Sequence, residues 1–302
     1  MTARAWRSLN LFYVTLAAVF LYVPLFLLIV FSFNDGATLA FPLSGFTLKW
    51  YRELWDTPEL LRAAWNSVLL GAVSSVVATV IGAMAAVGLM RFRFAGRNLL
   101  IMAAMLPLVV PSVVLGVTML MGFAQINLPL SLWTVGMGHV VINLPVVILI
   151  VMARLSGLDA NLEEAAMDLG ATYLGAQWRV TLPLTLPALF AAFLTSFTTS
   201  FDEFALTFFL VGSEPTLPTY LYSQLRFPTR LPIVVAMASV VIVGSFLTVV
   251  FTEWLRRRGE TQQTNRVDSL AGDPAIDGRR PGPTMRPNAP ALGRGSTPRG
   301  GK

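Results

Sequence analysis

Six long apolar runs constrain the fold of this chain more than any other feature. A bilayer core of about 30 Å is crossed by about 20 apolar residues in helical conformation. The runs that meet or approach this length lie near residues 11–33, 65–90, 99–122, 132–153, 188–210 and 233–255. Hydrophobic residues make up 55% of the 302 residues and charged residues only 13%, which exceeds the apolar content of an average soluble domain. The sequence therefore predicts an all-α integral membrane bundle of six transmembrane helices.

The arginine residues predict how these helices are oriented. They precede the first run and follow the second, fourth and sixth, whereas the first loop on the opposite side carries balanced charges. Because cytoplasmic loops hold an excess of Lys and Arg, this pattern predicts a multi-pass membrane protein with both termini cytoplasmic. The net charge of +6 lies entirely in residues 256–302, which hold 10 basic and 4 acidic side chains. Contact with anionic membrane lipid is favoured over nucleic acid as its explanation, so no nucleic-acid partner is expected.

Two residue types exclude whole classes of function. Only Lys49 and Lys302 are present, and neither lies in G-x4-G-K-[ST], so the chain lacks the P-loop of a Walker-type ATPase. There is no Cys, and His139 is the single His, so a Cys-rich zinc site and a thiol nucleophile are excluded. His139 is interpreted as a packed or hydrogen-bonded helix residue in preference to a proton relay. We expect no catalytic residue, no metal and no cofactor of its own in this chain.

A polar segment, NLEEAAMDLGATYLGAQWRVTLPLTLP, separates the fourth and fifth runs. Glu163 and Glu164 suit the first turn of a helix, where the helix dipole favours anions, and the alanines that follow propagate it. Gly170 is expected to end this helix because glycine allows a tight turn. A second helical segment is expected to continue until Pro183 and Pro187 stop it before the fifth run. The segment therefore predicts a short helix, a turn and a second short helix, held against the membrane face.

The spacing within this segment resembles the EAA loop of the membrane permeases of ATP-binding-cassette (ABC) importers, whose consensus is E-A-A-x3-G-x9-I-x-L-P. The chain has Glu164-Ala165-Ala166, then Gly170, and nine residues later Val180-Thr181-Leu182-Pro183, with Val in place of the usual Ile. In that family the first helix sits in a cleft of a cytoplasmic ATPase and couples its closure to transport. The residues for which the resemblance implies this coupling role are Glu163, Glu164, Ala165, Ala166, Asp168, Gly170, Val180, Leu182 and Pro183.

Asp202 and Glu203 lie about two thirds of the way across the fifth run. A carboxylate at the centre of a membrane helix costs about 2.5–3.5 kcal/mol, so their presence needs a reason. At 100° per residue the polar residues of this run share an arc of roughly 160°, and they are Thr195, Ser196, Thr199, Ser200, Asp202, Glu203 and Thr207. In one interpretation this face lines a substrate path, with Thr199, Ser200 and both carboxylates attracting a cation. In the other, the carboxylates pair with Arg or cap polar groups of a neighbouring subunit.

The stretch Thr199-Ser200-Phe201-Asp202-Glu203-Phe204 is similar to the S-x-D-[DEN] stretch of spermidine and putrescine permeases of the PotC and PotI type. The resemblance runs from the first span to the sixth and excludes the tail after Arg258; it includes Lys49-Trp50-Tyr51, Asn66-Ser67 and Leu217-Pro218. It implies a permease subunit of an ATP-driven importer of polyamines in the bacterial inner membrane. The implied partners are a second homologous permease, a dimer of cytoplasmic ABC ATPases that bind ATP and Mg, and an extracytoplasmic solute-binding protein received by loops 34–63 and 211–232.

Two other classes of protein were compared with this interpretation. An ion-coupled secondary transporter with Asp202 and Glu203 as its coupling site is the main alternative, but it leaves the spacing from Glu164 to Pro183 unexplained. An intramembrane carboxyl protease needs carboxylates on facing helices, and no other run carries one at mid-span.

Prolines inside the third and fourth runs, at Pro107, Pro111 and Pro145, allow either kinks at a pathway or ordinary close packing.

These predictions divide the chain into three parts. Residues 1–10 form a cytoplasmic N-terminus, and residues 11–255 form a six-span permease domain whose coupling loop is 154–187. Residues 256–302 are rich in Arg, Pro and Gly and carry too little apolar surface to fold, so a disordered basic cytoplasmic tail is expected.

Overall fold

The structure is a computed structural model that describes residues 3–36, 40–159 and 161–247. These residues are almost wholly helical, and the β-structure within them is an isolated antiparallel bridge between Asn34 and Phe46. The α-helices are α1 (Ala3–Phe31), α2 (Lys49–Trp55), α3 (Pro58–Arg91), α4 (Arg97–Val109), α5 (Ser112–Gln125), α6 (Leu132–Ser156), α7 (Asn161–Asp168), α8 (Tyr173–Ala176), α9 (Leu182–Asp202), α10 (Ala205–Leu210), α11 (Leu217–Gln224) and α12 (Pro228–Leu247, beginning with a 3-10 turn).

The predicted all-α membrane fold is confirmed. Five helical segments of the described residues are long and apolar enough to cross a bilayer, and the bent pair α4 and α5 makes a sixth if it is one span. The five are Asn10–Phe31, Pro58–Arg91, Leu132–Ser156, Tyr173–Asp202 and Pro228–Leu247. The six-span count is therefore supported, with the third span made of two helices. The end of the sixth predicted run and the tail at 256–302 lie outside the described residues.

The third span is not the single helix expected near residues 99–122. Its two halves, α4 and α5, meet at 109°. The turn falls where Val110 adopts extended backbone angles directly before Pro111, because a proline ring disfavours the helical conformation of the residue that precedes it. Pro107, in contrast, is retained inside α4. The prolines of this run thus produce a sharp bend at one position only.

The long helices α3 and α6 form the centre of the bundle, and α9 packs against both. Gly82 of α3 lies so close to α6 that a Cβ there would stand 2.5 Å from the side chain of Val147, which is the close approach that small residues permit between membrane helices. The buried apolar cluster around this contact consists of Ala78, Ala86, Leu89, Val147, Ile148, Val151, Leu155 and Ala192.

Residues up to Ile242 form one compact unit, and the described residues of the second unit, 243–247, are helical. Within the first unit, α1 buries none of its apolar window against the rest of the chain. Large side chains such as Phe20 and Leu21 are exposed along it. A helix that is apolar all round and buries so little of its surface against its own chain must be covered by lipid or by another protein.

Candidate coupling and substrate-path site

The first helix of the coupling loop is α7, Asn161–Asp168, and Gly170 ends it as the sequence predicted. Gly170 has a φ of +91°, in the left-handed region. Its N–H donates to the carbonyl of Met167 at 2.9 Å, and the N–H of Ala171 donates to the carbonyl of Ala166 at 3.0 Å. This pair of bonds is the Schellman arrangement, which satisfies the last carbonyls of a helix and favours glycine at this position. The turn after α7 is therefore built by local chemistry.

The prediction that Pro183 and Pro187 stop the second helix is wrong. Thr172 caps the N-terminus of α8, and α8 continues through a π-helical turn at Gln177–Thr181 directly into α9. A proline within a helix crowds the carbonyl four residues before it and cannot donate to it. Pro183 lies in the first turn of α9, where the wider π-turn has changed the hydrogen-bond register, with the Leu182 N–H donating to the Gln177 carbonyl. The loop and the fifth span therefore form one helical rod from residue 173 to residue 202.

Glu163 is the buried carboxylate of the coupling loop. One of its oxygens accepts from Arg91 Nη2 at 2.5 Å and from Thr181 Oγ1 at 2.6 Å, and the other accepts from Gln177 Nε2 at 3.1 Å. Arg91 is the last residue of α3, whereas Gln177 and Thr181 begin and end the π-turn. Glu163 therefore joins α7 to two of the membrane-spanning helices. Charge-assisted bonds of this kind are stronger than neutral ones.

The other predicted coupling residues differ in how far they are buried. Glu164, the glutamate of the E-A-A pattern, is exposed and has no hydrogen-bond partner among the described residues. Half-buried positions are Ala166, Val180 and Leu182, and exposed positions are Glu164, Ala165, Asp168, Gly170 and Pro183. Sequence reasoning missed Arg91 and Gln177 as parts of this site. The available signals were an arginine at the end of one span and a carboxylate at the start of the loop, both predicted on the same side of the membrane. Because the two lie far apart in the sequence, the sequence does not show that they pair.

Large apolar side chains of α7 and of the segment that follows it are not covered by this chain. Leu169 is 90% exposed and Trp178 is 68% exposed. Leu162 and Leu174 are also exposed. Apolar residues gathered next to polar ones on a rigid element are typical of protein interfaces. The coupling loop therefore presents a surface suited to a partner protein.

The fifth span is broken where its carboxylates lie. It was predicted to run from 188 to 210, but α9 ends at Asp202, Glu203 has an extended conformation, and the short helix α10 begins at Ala205. Glu203 bonds locally, since its Oε1 accepts the Leu206 N–H and its carbonyl accepts the Thr207 hydroxyl, both at 2.9 Å. The Asp202 side chain is exposed and pairs with no residue in the described part of the chain. The two carboxylates are thus adjacent but differently held.

The predicted polar arc of this span is divided between two surfaces. Ser196 and Ser200 of α9 are buried where α9 packs on α3 and α6, and Thr207 of α10 is buried against α6. In contrast, Thr195, Thr199 and Asp202 are exposed. The helical wheel did not show this division because it cannot tell which half of an arc another helix covers. Of the predicted path residues, Thr199 and Asp202 therefore face away from this chain, Glu203 is half-buried at the break, and Ser200 faces the bundle interior.

A chain of buried polar side chains crosses the bundle behind this break. Asn143 Nδ2 donates to Ser200 Oγ at 2.9 Å, and His139 Nε2 shares a hydrogen bond of 2.9 Å with Thr207 Oγ1. Ser74 of α3 donates to Ser200 at 3.2 Å. The interpretation of His139 as a hydrogen-bonded helix residue is confirmed. Among the described residues no group of three or more His, Cys, Asp or Glu side chains is arranged to hold a metal ion.

At the opposite end of α3, the two loops proposed for a binding protein come together. The Leu217 N–H donates to Ser67 Oγ at 2.8 Å, and Asn66 Nδ2 donates to the Pro215 carbonyl at 3.0 Å. Leu54 of α2 belongs to the same buried cluster as Leu217. The structure thus unites three short sequence patterns, at 49–51, 66–67 and 217–218, that are far apart in the sequence.

Comparisons with known proteins agree with this geometry. Residues 78–260 match the family described as "Binding-protein-dependent transport system inner membrane component". The chain is 33% identical over 246 residues to the spermidine/putrescine transport system permease protein PotC of Escherichia coli, covering 81% of this chain and 92% of that protein. It is 33% identical over 271 residues to the putrescine transport system permease protein PotI of Escherichia coli, covering 87% and 94%.

A more distant relative and a solved structure extend these comparisons. The chain is 32% identical over 205 residues to a probable molybdenum ABC transporter permease protein of Haloferax volcanii, covering 63% of this chain and 76% of that protein. A chain in the crystal structure of a bacterial ABC transporter involved in import of the acidic polysaccharide alginate superposes with a TM-score of 0.65. That match covers 84% of this chain and 96% of the other at 18% identity, so it shows the fold.

Proposed function

We propose that polyamines are the solutes of this chain, which belongs to the binding-protein-dependent transport system inner membrane component family and is a permease subunit of an ABC importer. Such a subunit is not itself an enzyme, because the nucleotide is bound by a partner ATPase. A solute-binding protein is a further partner. The observation that carries the polyamine assignment is the identity of 33% to PotC and PotI over most of their lengths. The broken fifth span gives it a chemical basis.

The break gathers negative charge at one point of the fifth span. Asp202 and Glu203 are adjacent there, and α9 ends beside them. A helix C-terminus carries partial negative charge, and the ends of broken membrane helices coordinate cations in transporters. Polyamines are flexible chains of ammonium groups, so successive carboxylate and carbonyl contacts suit them. Thr199, Ser200, Asp202 and Glu203 are the proposed substrate-path residues, and the exposed face of Thr199 and Asp202 would line the path with a second homologous permease.

The coupling loop is proposed to receive the motion of a dimer of cytoplasmic ABC ATPases. The exposed residues around α7 supply the contact, and Glu163 fastens α7 to α3 and to the π-turn. The helical rod from Tyr173 to Asp202 has 30 residues, about 45 Å at 1.5 Å per residue. A displacement at the loop would therefore be transmitted directly to Asp202. The residues for which this coupling role is proposed are Glu163, Glu164, Ala165, Ala166, Asp168, Gly170, Val180, Leu182 and Pro183.

The remaining assignments follow the arginine distribution. We propose that both termini are cytoplasmic in the bacterial inner membrane, with a six-span domain at 11–255 between them and a basic tail at 256–302. The Arg91–Glu163 pair supports this orientation, because it puts the end of α3 and the coupling loop at the same end of the bundle. Loops 34–63 and 211–232, which share a buried cluster through Leu54 and Leu217, are the proposed contact for the extracytoplasmic binding protein.

The solute is tested by uptake into liposomes that contain the chain with its partner permease, ATPase and binding protein. We expect ATP-dependent uptake of radiolabelled spermidine or putrescine, and none of molybdate. Uptake of molybdate without uptake of either polyamine would contradict the proposal. Polyamine uptake that needs no ATPase and follows an imposed ion gradient would instead support the secondary-transporter alternative.

A further inference from the structure

The break in the fifth span lies between two hydrogen bonds to a single face of α6. Ser200, three residues before Glu203, accepts from Asn143, and Thr207, four residues after Glu203, is bonded to His139. His139 and Asn143 are four residues apart, so they lie one above the other on the same helix face. Asn143 Nδ2 also donates to the His139 carbonyl at 2.8 Å, which ties the two positions together. We refer to His139 and Asn143 as the α6 pair.

All four partners are enclosed by the protein. His139 and Thr207 have no exposed surface, Asn143 is 1% exposed and Ser200 is 3% exposed. A polar group within a bilayer has no water to bond, so it stabilises only the arrangement that supplies its partner. If α9 and α10 moved apart from α6, both bonds would be lost with no replacement. The α6 pair therefore favours one placement of the chain on each side of the break.

The two sides of the break are otherwise attached to different neighbours. α10 is packed tightly against α5 and α6, since a Cβ on Gly138 would stand 2.6 Å from Leu206 and a Cβ on Gly116 would stand 3.1 Å from the Leu206 Cα. Thr134 of α6 also donates to the Leu210 carbonyl at 2.9 Å. α9, in contrast, packs mainly on α3 and α6 and is continuous with the coupling loop. The α6 pair is thus the polar link that spans both pieces.

We propose that His139 and Asn143 are positioning residues that fix the geometry of the break and thereby the placement of the Asp202 and Glu203 carboxylates. They do this by holding Ser200 and Thr207 against one face of α6, and they touch neither carboxylate themselves. The break has no Pro or Gly in the residues from Asp202 to Ala205, so these tertiary bonds maintain it together with the local bonds of Glu203 to Leu206 and Thr207. The importance of this geometry for transport rests on the proposed function. The role of the α6 pair in fixing the geometry is independent of it.

The chain contains no Cys, which allows the break to be measured directly. Spin labels are attached at Thr198→Cys on α9 and Phe208→Cys on α10, both exposed positions, in the full importer with cysteine-free partners. The distance distribution between the labels is then recorded by pulsed electron resonance. Asn143→Leu removes the bonds to Ser200 and to the His139 carbonyl, and Thr207→Val removes the bonds to His139 and to the Glu203 carbonyl with almost no change in shape. We expect each to broaden the distance distribution at least twofold.

Two further variants separate positioning from general loss of a buried polar group. His139→Gln keeps a hydrogen-bonding atom near the Nε2 position, and it should give the wild-type distribution. Thr185→Val removes a buried hydroxyl of the same span that bonds only to backbone carbonyls of its own helix, and it should also leave the distribution unchanged. Uptake of spermidine is measured on the same preparations and should fall at least tenfold in Asn143→Leu.

The outcomes distinguish this inference from the proposed solute. Broadening in Asn143→Leu and Thr207→Val, with a wild-type distribution in His139→Gln and Thr185→Val, supports the positioning role even if no preparation takes up a polyamine. Narrow, unchanged distributions in both bond-removing variants overturn it, whatever the solute. Equal broadening in Thr185→Val also overturns it, because any lost hydroxyl would then disturb the span.

Discussion

Replacing Glu163 by Gln should detach the coupling helix from the membrane-spanning helices. The Glu163 side chain is 10% exposed and that of Arg91 is 19% exposed, so water compensates little for a lost interaction. Breaking a buried ion pair by removing one partner costs about 3–5 kcal/mol. Because Gln keeps an acceptor for Thr181, we expect the lower end, about 3 kcal/mol. At 1.36 kcal/mol per tenfold change, the detached state of α7 should become roughly 150-fold more populated.

Hydrogen exchange of the backbone amides in the reconstituted importer measures this change. In Glu163→Gln, the amides of α7 and of the π-turn at Gln177–Thr181 should exchange roughly 100-fold faster, since local opening controls their exposure. ATP hydrolysis should continue with much less solute imported per ATP, because α7 then moves without the rod that leads to Asp202. The matched control is Glu164→Gln, which removes the neighbouring carboxylate from an exposed position and should leave the exchange within twofold of wild type.

Equal exchange rates in Glu163→Gln and Glu164→Gln would refute this reasoning. Faster exchange confined to Glu164→Gln would show that the motif glutamate, and not its buried neighbour, fastens the helix. A charge-neutral double change, Arg91→Gln with Glu163→Gln, should recover part of the protection, because it leaves no unpaired charge in the buried site.

Three further changes have outcomes that follow from single contacts. Gly170→Ala forces a side chain into a left-handed conformation at a cost of about 1 kcal/mol, and should weaken capture of the ATPase about fivefold in a pull-down titration. Gly82→Val places atoms on the Val147 side chain and should destabilise the purified protein by about 1–3 kcal/mol, whereas Gly88→Val, with open space around it, should leave the melting temperature nearly unchanged. Trp178→Ala removes an exposed aromatic residue, so it should weaken ATPase capture by about 1–2 kcal/mol without lowering the melting temperature.

The sequence predicted the membrane helices because their signal is local. Long apolar runs have few alternative structures in a bilayer. The turn after α7 could also be predicted, because it depends on the backbone conformation of one residue, Gly170. A kink at Pro111 was one of the alternatives that the sequence allowed, but the angle of 109° between α4 and α5 depends on packing. The error at Pro183 arose from treating each proline as a helix end, although a π-turn just before it allows the helix to continue.

The site depends on contacts that the sequence does not display. Glu163 bonds to Arg91, which is 72 positions away, so nothing local distinguishes it from the exposed Glu164. The break after Asp202 has no Pro or Gly to announce it, and the residues that maintain it, His139 and Asn143, belong to another helix. Sequence patterns therefore located the polar residues of the site, whereas their division into buried and exposed faces required the packed structure.

The most direct measurement of the central claim compares polyamine uptake with and without the two carboxylates at the break. Liposomes contain the complete importer with wild-type chain, with Asp202→Asn plus Glu203→Gln, or with the charge-matched control Asp268→Asn plus Asp273→Asn in the tail. We predict that only the change at the break reduces ATP-dependent spermidine uptake, by at least tenfold, while the ATPase is still captured by the permease. Undiminished spermidine uptake after loss of both carboxylates, with the ATPase bound as in wild type, would contradict the account.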